Sequence, residues 1–389
     1  GLLIVDISGP LLPAAATTNK KPLCVKIEML KALTKKYSAN PGRSGHNLSV
    51  NASIKIFDAR ENFNAKFNND DVCHIIFTSG CTEALNLAIL GTAKKGGHIV
   101  ITSNEHNSVA RPVAYLKEQG EIDYTIVEAK KDRKINPKDV ENAIKPNTYL
   151  VITNHCSNVT GVMTDIEEIG KICKNHNIMY LVDGAQSCGH IKIDMIKQNI
   201  DMLAIAGHKG LLGPQGVGVL LYRQNISVKP IKFGGTGSHG EKLLPPIEPP
   251  ESLEAGTSAN PNIFALNSGL NYVYKHFDKI NDKIQKITKY ILDELSQIKY
   301  VKLYTPIDCY NGVISFTIIG IENTQIATYL NDKGICIRSG MHCAPLVHQN
   351  LGTLSGGGTC RISVGNNNTM HQAKKLIKEI KNLVNQLGN

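Results

Sequence analysis

The chain has 389 residues, of which 42% are hydrophobic and 20% are charged, and its formal net charge is +10. This composition is typical of a folded soluble protein and excludes a disordered or fibrous chain, and the length favours two closely packed domains. Lysine and arginine are spread along the chain without basic runs interleaved with aromatic residues, so we do not expect nucleic-acid binding.

The ten cysteines are scattered and form no paired framework, which favours a reducing compartment and predicts that most are reduced and buried. The opening segment GLLIVDISGPLLP is apolar, but it lacks the basic residues and the cleavage pattern of a signal peptide. It is also too short to span a bilayer. We therefore expect a cytoplasmic protein that does not bind a membrane.

Seven short apolar runs between about residues 72 and 222 predict β-strands. They are HIIFTS, HIVITS, DYTIVEA, YLVITN, MYLVDGA, MLAIAG and VGVLLY. Between several of them lie amphipathic segments of helical length, such as EALNLAILGTA and DIEEIGKICKNH. This alternation predicts an α/β fold, with a mainly parallel sheet covered by helices and functional loops at the carboxyl ends of the strands.

A Gly- and Pro-rich stretch at residues 233–262 interrupts the pattern and is either a linker or an ordered functional loop. Helical segments follow from about residue 263 to 299, and later YNGVISFTI, a helical segment from about 323, GICIRSG and the amphipathic HQAKKLIKEIKNLVNQ predict a smaller α+β domain. We predict a large domain over 30–262 and a small C-terminal domain over 263–389. The segment 1–29 is expected to pack on the small domain.

Two strand ends in the first domain carry residues suited to an anion and to an aromatic ligand. In FTSGCTEALN, backbone N–H groups and the Thr82 hydroxyl at a helix N-terminus predict a phosphate site, the alternative being a plain N-cap. In SNEHNSVARP, His106 directly follows a strand. Taken alone, it is either catalytic or a structural histidine.

Two more strand ends carry opposite charges. Asp183 in LVDGAQS ends an apolar strand, so its charge needs a cationic partner unless it only caps the chain. Lys209 in LAIAGHKGLLGPQG lies between a buried strand and a Gly-rich turn and is suited to Schiff-base chemistry, unless it extends to solvent. The two are predicted to lie one strand–helix–strand unit apart. Lysine, carboxylate, anion site and aromatic ring together match what pyridoxal phosphate requires of a protein.

From about residue 15 to the C-terminus the chain resembles the class V aminotransferases of fold type I, and within them the cysteine desulfurases. The motifs that carry this resemblance are NPGRSGH, SGCTEALN, EHN, SNVTG, VDGAQS, GHKGLLGPQG, EAGTSAN, RSGMHCAPL and CRISVGNNNT. RSGMHCAPL is similar to the short R-x-G-x-H-C-A segment of one desulfurase subgroup and of the related selenocysteine lyases. The resemblance implies the fold type I architecture, with a large domain and a smaller C-terminal domain.

The resemblance also implies roles around pyridoxal phosphate. Lys209 would bind the cofactor as a Schiff base and move the proton, Asp183 would pair with the ring nitrogen, and His106 would stack on the ring. Further cofactor contacts are implied for Gln186, Asn158, Cys81 (through its backbone), Thr82, His208 and Thr257. Thr257 would reach the phosphate of a neighbouring subunit, which implies a homodimer.

On the substrate side, the resemblance implies that Arg361 clamps the carboxylate of L-cysteine, or of L-selenocysteine. Asn158, Arg43 and His46 would also contact the substrate or line the site. Cys343 would accept the sulfur as a persulfide, leaving L-alanine, and pass it to a separate acceptor protein, as in iron–sulfur cluster biogenesis.

His342, Arg338 and Arg361 are expected to give Cys343 positive surroundings, which would favour its thiolate.

The sequence departs from the family's pattern in two places. Pro13 and Ala14 stand where the family has Asp and Asn. Ala206 stands where many relatives have a hydroxyl, so one phosphate contact is expected to be lost.

Rival functions remain open from the sequence alone. On the same scaffold they are a selenocysteine lyase, a cysteine or cystine lyase, and a plain aminotransferase, because a fold does not fix a function. A rival of another class is a metal-binding protein whose ligands would be Cys336, His342, Cys343, His348 and Cys360. An adjacent His-Cys pair does not follow the usual structural zinc spacing, so we expect no metal.

Overall fold

The structure is a computed structural model and describes residues 20–34, 36–42, 46–237 and 242–386. The chain divides into two compact units. The larger unit contains residues 20–157 and 163–277, and the smaller unit contains residues 158–162 and the chain from 278 onward. The predicted domain limits, 30–262 and 263–389, stay a prediction, and most of the segment 1–29 lies outside the described residues.

The larger unit contains seven α-helices, one 3-10 helix (Val72–His74) and seven strands among its described residues. The helices are α1 Leu23–Ala32, α2 Asn47–Phe67, α3 Cys81–Gly91, α4 Asn107–Glu118, α5 Pro137–Asn142, α6 Ile166–Asn175 and α7 Asn260–Lys275. The strands are β1 Ile75–Thr78, β2 Gly97–Thr102, β3 Ile122–Val127, β4 Thr148–Asn154, β5 Met179–Asp183, β6 Met202–Ala206 and β7 Gly218–Tyr222. All seven strands expected from the apolar runs are confirmed.

The strands form one sheet in the order β1-β7-β6-β5-β4-β2-β3. The pairs from β6 to β3 are parallel, whereas β7 runs antiparallel to both β6 and β1. The residues of β4, β6 and β7 are buried along their whole length, because helices cover a sheet of this kind on both faces. The predicted α/β fold with a mainly parallel sheet is confirmed.

The connection between β5 and β6 differs from the prediction. Residues 184–201 are all described and consist of turns and isolated bridges without a helix. Asp183 and Lys209 are therefore separated by a strand–turn–strand unit. The segment MIKQN has a helix-like alternation but is too short to nucleate a stable helix.

The smaller unit is an antiparallel sheet with helices. Helix α8, Phe277–Ser296, leads into it, followed by β8 Val301–Leu303, β9 Val313–Ile318, α9 Asn323–Asp332, β10 Arg338–Gly340, α10 Pro345–Leu351, β11 Thr359–Ser363 and α11 Met370–Asn385. The strand order is β10-β11-β9-β8, with every neighbouring pair antiparallel. Helix α11 buries its apolar stripe, including Leu376, Ile377 and Ile380, as its amphipathic pattern predicts.

Two further expectations concern cysteines and membranes. All ten cysteines are free thiols, and Cys73 and Cys343 are the exposed ones. Within the described part of the chain, no helix combines the length and the apolar character needed to cross a membrane.

Candidate active site

Strand ends of the larger unit position the residues that the sequence singled out there. Six of them are predicted to contact the cofactor, and we call them the lysine cluster: Cys81, Thr82, His106, Asp183, His208 and Lys209. Asp183 is the last residue of β5, and Lys209 follows the end of β6 by three residues. Because β5 and β6 are adjacent and parallel, both residues lie at the carboxyl edge of the sheet.

The anion site is the N-terminus of α3. Gly80 occupies the N-cap position and has no side chain that could accept hydrogen bonds from the first N–H groups of the helix. Gly218 of β7 packs directly beneath it, since a Cβ at 218 would lie 2.4 Å from the carbonyl carbon of Gly80. The helix N-terminus is thus held against the sheet with its positive dipole end available to an anion.

Thr82 and His106 are linked by a residue that the sequence reading missed. Ser108 Oγ lies 2.8 Å from Thr82 Oγ1 and 2.9 Å from His106 Nδ1. The Ser108 backbone N–H also donates to His106 Nδ1 at 3.1 Å, which makes His106 the N-cap of α4. Nδ1 therefore acts as an acceptor and the imidazole orientation is fixed. The His-x-Ser spacing at a helix start is the signal that could have identified Ser108.

Asp183 is buried, with 5% of its surface exposed, and its Oδ1 contacts two neutral groups. Oδ1 accepts from the Ala185 N–H at 2.9 Å and lies 3.7 Å from the Cys81 sulfur. Burial and the Asp183 charge raise the pKa of the Cys81 thiol well above its usual range, so Cys81 stays protonated. A buried carboxylate with such neighbours is suited to receive a cationic group of a ligand.

His208 and Lys209 lie beside a second lysine. Lys21 Nζ donates to the carbonyl oxygen of His208 at 2.8 Å. Burial lowers the pKa of Lys21 to about 8. Burial, with the charges of Lys209 and Lys21, lowers the pKa of His208 to about 4, so this imidazole is neutral at physiological pH. No pattern in the sequence around Lys21 pointed to this contact.

Glu105 is a buried acid next to the lysine cluster that the sequence reading also missed. Its Oε1 accepts from Thr102 Oγ1 at 2.6 Å and from the Asn154 N–H at 3.0 Å, while Oε2 is buried without a partner. Asn154 pairs with Asp183 in the β4–β5 register. Burial, together with the Asp183 charge, raises the pKa of Glu105 to about 8, so Glu105 is a neutral acid at pH 7.

The loop that carries Thr257 is anchored to α2 by an ion pair and to β1 by a hydrogen bond. Arg60 and Glu254 form two parallel contacts of 2.8 and 2.6 Å, and Glu254 also accepts from the Phe77 N–H at 2.6 Å. Thr257 itself is exposed and lines a cavity of about 320 Å³ beside this pair. This end of the Gly- and Pro-rich stretch is therefore an ordered loop.

For the other predicted site residues of the larger unit, the structure shows fewer contacts with the lysine cluster. Gln186 is half-buried just after β5. His46 is exposed and caps α2, with Nδ1 accepting from the Ser49 N–H at 3.2 Å. Arg43 lies outside the described residues.

The smaller unit assembles a second group, which we call the cysteine cluster: Asn158, Arg338, His342, Cys343 and Arg361. Arg338 on β10 is the register partner of Arg361 on β11. Cys343 is exposed, and the Arg338 Nη2 lies 3.8 Å from its sulfur. The exposed sulfur therefore has a guanidinium as its polar neighbour.

Arg361 is buried, with 2% of its surface exposed, and its guanidinium is only partly satisfied. Nη1 donates to the Asn158 carbonyl at 3.0 Å, while Nε and Nη2 are buried without a partner. Burial lowers its pKa to about 10, so it remains charged at pH 7. Two adjacent unsatisfied donors of a guanidinium form the fork that binds a carboxylate.

The expectation that His342 supplies positive charge to Cys343 is wrong. His342 is buried, and burial together with the charges of Arg361 and Arg338 lowers its pKa to about 3. Its Nε2 lies 3.0 Å from the Thr359 carbonyl oxygen, so it makes a hydrogen bond as a neutral ring. Of the three residues expected to supply charge, the two arginines carry it.

The alternative function, metal binding, would require several ligand side chains close together. The described residues contain no group of three or more histidine, cysteine, aspartate or glutamate side chains that could hold a metal ion. His342 and Cys343, the central pair of that hypothesis, differ in exposure, the first being buried and the second exposed.

Comparison with known proteins identifies the family of the chain. The family described as aminotransferase class V matches residues 11–376. The chain belongs to the class V aminotransferase family. A probable cysteine desulfurase of Pyrococcus abyssi is 33% identical over 96% of this chain and 93% of its own length. One of Methanothermobacter thermautotrophicus is 32% identical over 93% and 92%.

The apo structure of a cysteine desulfurase from Thermococcus onnurineus superimposes on this class V aminotransferase with a TM-score of 0.88. The two are 32% identical, and the match covers 97% of this chain and 94% of the other. The fold type I architecture predicted from the sequence is thereby confirmed.

The residues of this class V aminotransferase fit pyridoxal phosphate. The buried carboxylate of Asp183, the helix N-terminus at Gly80 and the amine of Lys209 supply three of the four groups that the cofactor requires of a protein. The charges of Asp183 and Lys209 both act on the Cys81 thiol. The three groups therefore belong to one region of the larger unit.

Proposed function

We propose that this class V aminotransferase is a pyridoxal phosphate-dependent cysteine desulfurase. It converts L-cysteine to L-alanine, leaves a persulfide on Cys343 and passes the sulfur to a separate acceptor protein. The observation that carries the proposal is the cysteine cluster. It combines an exposed thiol beside Arg338 with the two unsatisfied guanidinium nitrogens of buried Arg361.

Arg361 binds the carboxylate of the amino-acid substrate. Nε and Nη2 are buried without a partner, and a bound carboxylate would satisfy both through charge-assisted hydrogen bonds. Asn158 Oδ1 is also buried without a partner, so it is available to a donor such as the substrate amine. A buried donor that lacks a partner destabilises the substrate-free protein, and substrate binding removes that cost.

The lysine cluster holds the cofactor. Lys209 binds it covalently and moves the α-proton of the substrate, and Asp183 keeps the ring nitrogen protonated. Thr82 and the N-terminus of α3 bind the phosphate, with His208 as a neutral neighbour. Further contacts are proposed for Cys81 (backbone), His106, Asn158, Gln186 and Thr257. The bound cofactor supplies an electron sink for the electron pair released at the α-carbon.

Cys343 performs the sulfur transfer. Its thiolate, which lies beside Arg338, attacks the substrate sulfur, so that a sulfur–sulfur bond forms as the carbon–sulfur bond breaks. The electron pair of the broken bond goes to the substrate carbon, which takes up a proton and leaves as alanine. The enzyme retains the persulfide, and no external oxidant or reductant is needed for this step.

The decisive experiment is mass spectrometry of the protein after brief exposure to L-cysteine. One added sulfur on the peptide that contains Cys343 is expected. Cys343→Ala should form no persulfide there and should release almost no alanine, although α-proton exchange of cysteine continues. Cys73→Ala, which removes the other exposed thiol, is the matched control and should behave as wild type.

The products separate the rival functions on this scaffold. A desulfurase yields alanine and sulfane sulfur, whereas a β-eliminating lyase yields pyruvate and ammonia. Sulfur found only on another cysteine, or pyruvate in place of alanine, would overturn the proposal. Supplying L-selenocysteine in parallel measures the preference between sulfur and selenium.

A homodimer is part of the proposal, because Thr257 is assigned to the phosphate of a neighbouring subunit. It is supported by apolar side chains exposed on the larger unit, among them Leu23, Leu30, Leu33, Val50, Ile54, Phe57 and Phe233. Light scattering of the purified protein tests the stoichiometry. A cytoplasmic location stays a prediction.

A further inference from the structure

His342 and Cys343 are neighbours in the chain but have opposite surroundings. The His342 side chain is 2% exposed, whereas Cys343 is exposed. A histidine next to a cysteine in a functional motif suggests a nucleophile with its base, which requires the two side chains to lie within hydrogen-bond reach. The Cys343 sulfur instead has the Arg338 guanidinium as its polar neighbour, at 3.8 Å.

The backbone explains this divergence. Both residues have left-handed conformations, with φ of 51° at His342 and 59° at Cys343. Residues other than glycine adopt this region rarely, because Cβ comes too close to the backbone. Two such residues in succession persist only where their surroundings hold them in place. Something must therefore secure this turn.

The contacts of His342 secure it on two sides. Its Nε2 lies 3.0 Å from the Thr359 carbonyl oxygen and 3.2 Å from Thr359 Oγ1, both on β11. Its own carbonyl oxygen accepts from Asn158 Nδ2 at 2.7 Å. The His348 ring packs against it with a centroid distance of 5.6 Å. Side chain and backbone of His342 are thus both fixed within the smaller unit.

The hydrogen-bond geometry also fixes the tautomer. A carbonyl oxygen can only accept, so the hydrogen of the imidazole is on Nε2. Nδ1 then carries the lone pair and is buried without a partner. The low pKa of His342, lowered to about 3 by burial, agrees with a neutral ring.

We propose that His342 is a positioning residue that holds the left-handed turn from its buried side and takes no proton from Cys343. The inference rests on the proposed function in one respect, namely that Cys343 is the sulfur acceptor. In this view His342 holds the backbone in the conformation that exposes the Cys343 thiol. The positive charge beside the sulfur comes from Arg338.

The test compares His342→Leu with His342→Gln in the cofactor-loaded protein. Leucine fills the space without a donor, whereas the glutamine amide can still donate to the Thr359 carbonyl. The rate of Cys343 alkylation by iodoacetamide is measured against pH, without substrate, by mass spectrometry of the Cys343 peptide. Persulfide formation on Cys343 is then measured in a single turnover with L-cysteine.

The midpoint of the alkylation profile is expected to be unchanged in both variants, because a neutral ring contributes no charge to the thiolate. Persulfide formation should slow by about tenfold in His342→Leu, the equivalent of one lost hydrogen bond, and recover in His342→Gln. Thr359→Val is the matched control, since it removes the hydroxyl contact and keeps the carbonyl contact. It should form persulfide at close to the wild-type rate.

Two outcomes would overturn the inference. One is an upward shift of the alkylation midpoint by about one pH unit in both variants, which would make His342 a base or a cation for Cys343. The other is wild-type persulfide formation in His342→Leu. If circular dichroism shows that His342→Leu does not fold, the alkylation profile of His342→Gln decides by the same criterion. If the wild type forms no persulfide, the proposed function fails, yet the alkylation profiles still decide whether His342 takes the proton of Cys343.

Discussion

The lysine cluster and the cysteine cluster are built in opposite ways. The lysine cluster uses regular positions, namely the ends of β5 and β6 and the N-termini of α3 and α4, and its side chains are fixed by short hydrogen bonds such as that between Ser108 and His106. The cysteine cluster uses a left-handed turn and a buried guanidinium with two nitrogens unsatisfied. The proposed function accounts for this difference. A cofactor that stays bound needs a preorganised site, whereas the unsatisfied groups of the cysteine cluster would be completed by a substrate that binds and leaves in each turnover.

The strongest test of this comparison removes the amine of the lysine cluster. Lys209→Ala should lack the visible absorbance of covalently bound pyridoxal phosphate, and turnover should fall by about 10⁴-fold, because the proton-transfer group is gone. Lys209→Arg keeps the charge and should be equally inactive. An absorbance spectrum measures the first effect, and an assay of alanine release measures the second. A variant that retained the band and the activity would mean that another residue binds the cofactor.

Asp183→Ala tests the carboxylate of the same cluster. Loss of its charge should weaken cofactor binding and slow α-proton exchange by about 10²- to 10³-fold, as when one preorganised electrostatic group is removed. Asp183→Asn, which keeps the shape, should show the same slow exchange. Deuterium uptake by cysteine and a spectrophotometric cofactor titration measure the two effects. Exchange at a near-normal rate would refute the assignment.

Arg361→Ala tests the cysteine cluster. The concentration of cysteine needed for half-maximal binding should rise by about 10- to 100-fold, because a charge-assisted pair with the carboxylate is lost. Arg361→Lys should be intermediate, since it keeps the charge and loses the planar fork. Cofactor affinity should stay at the wild-type value in both. An unchanged cysteine titration would remove Arg361 from the substrate site.

Glu105→Gln should have the smallest effect on the reaction and a clear effect on stability. Burial raises the pKa of Glu105 to about 8 from its ordinary 4.5, so the folded protein holds a proton that the unfolded chain releases above pH 4.5. Stability is therefore lost as the pH rises from about 4.5 to about 8, by roughly 3 to 5 kcal/mol in total.

Glutamine keeps the neutral shape and carries no titrating proton. Urea denaturation should show that Glu105→Gln gains stability relative to wild type across that pH range, and that the difference levels off above pH 8. A pH-independent difference would show that Glu105 is ionised in the fold.

The places of the lysine-cluster residues in the fold could be predicted from the sequence, because helices and strands have recognisable residue patterns. Apolar runs located all seven strands of the larger sheet, and a residue that follows a buried strand lies at a known edge. The exceptions were contacts between distant segments. Lys21 reaches the His208 carbonyl and Ser108 connects Thr82 to His106, and neither contact follows from local pattern.

The cysteine cluster was predicted by residue but not by geometry. RSGMHCAPL identified Cys343, and CRIS identified Arg361, yet β11 was not recognised as a strand and β8 is only three residues long. The left-handed φ at His342 and Cys343 has no signal in residue type, because such conformations normally call for glycine or asparagine. The buried, neutral state of His342 follows from that backbone conformation, so it could not be predicted from the sequence.

The unsatisfied nitrogens of Arg361 have a consequence for the end of the reaction. In the proposed function the group they bind is a carboxylate, and alanine leaves with the same carboxylate that cysteine brought in. Within the smaller unit, the arginine therefore contributes equally to holding substrate and product, and discrimination must come from the sulfur side of the molecule. Free alanine should compete with cysteine, so the ratio of the two amino acids, rather than the cysteine concentration alone, sets the rate at which sulfur is released.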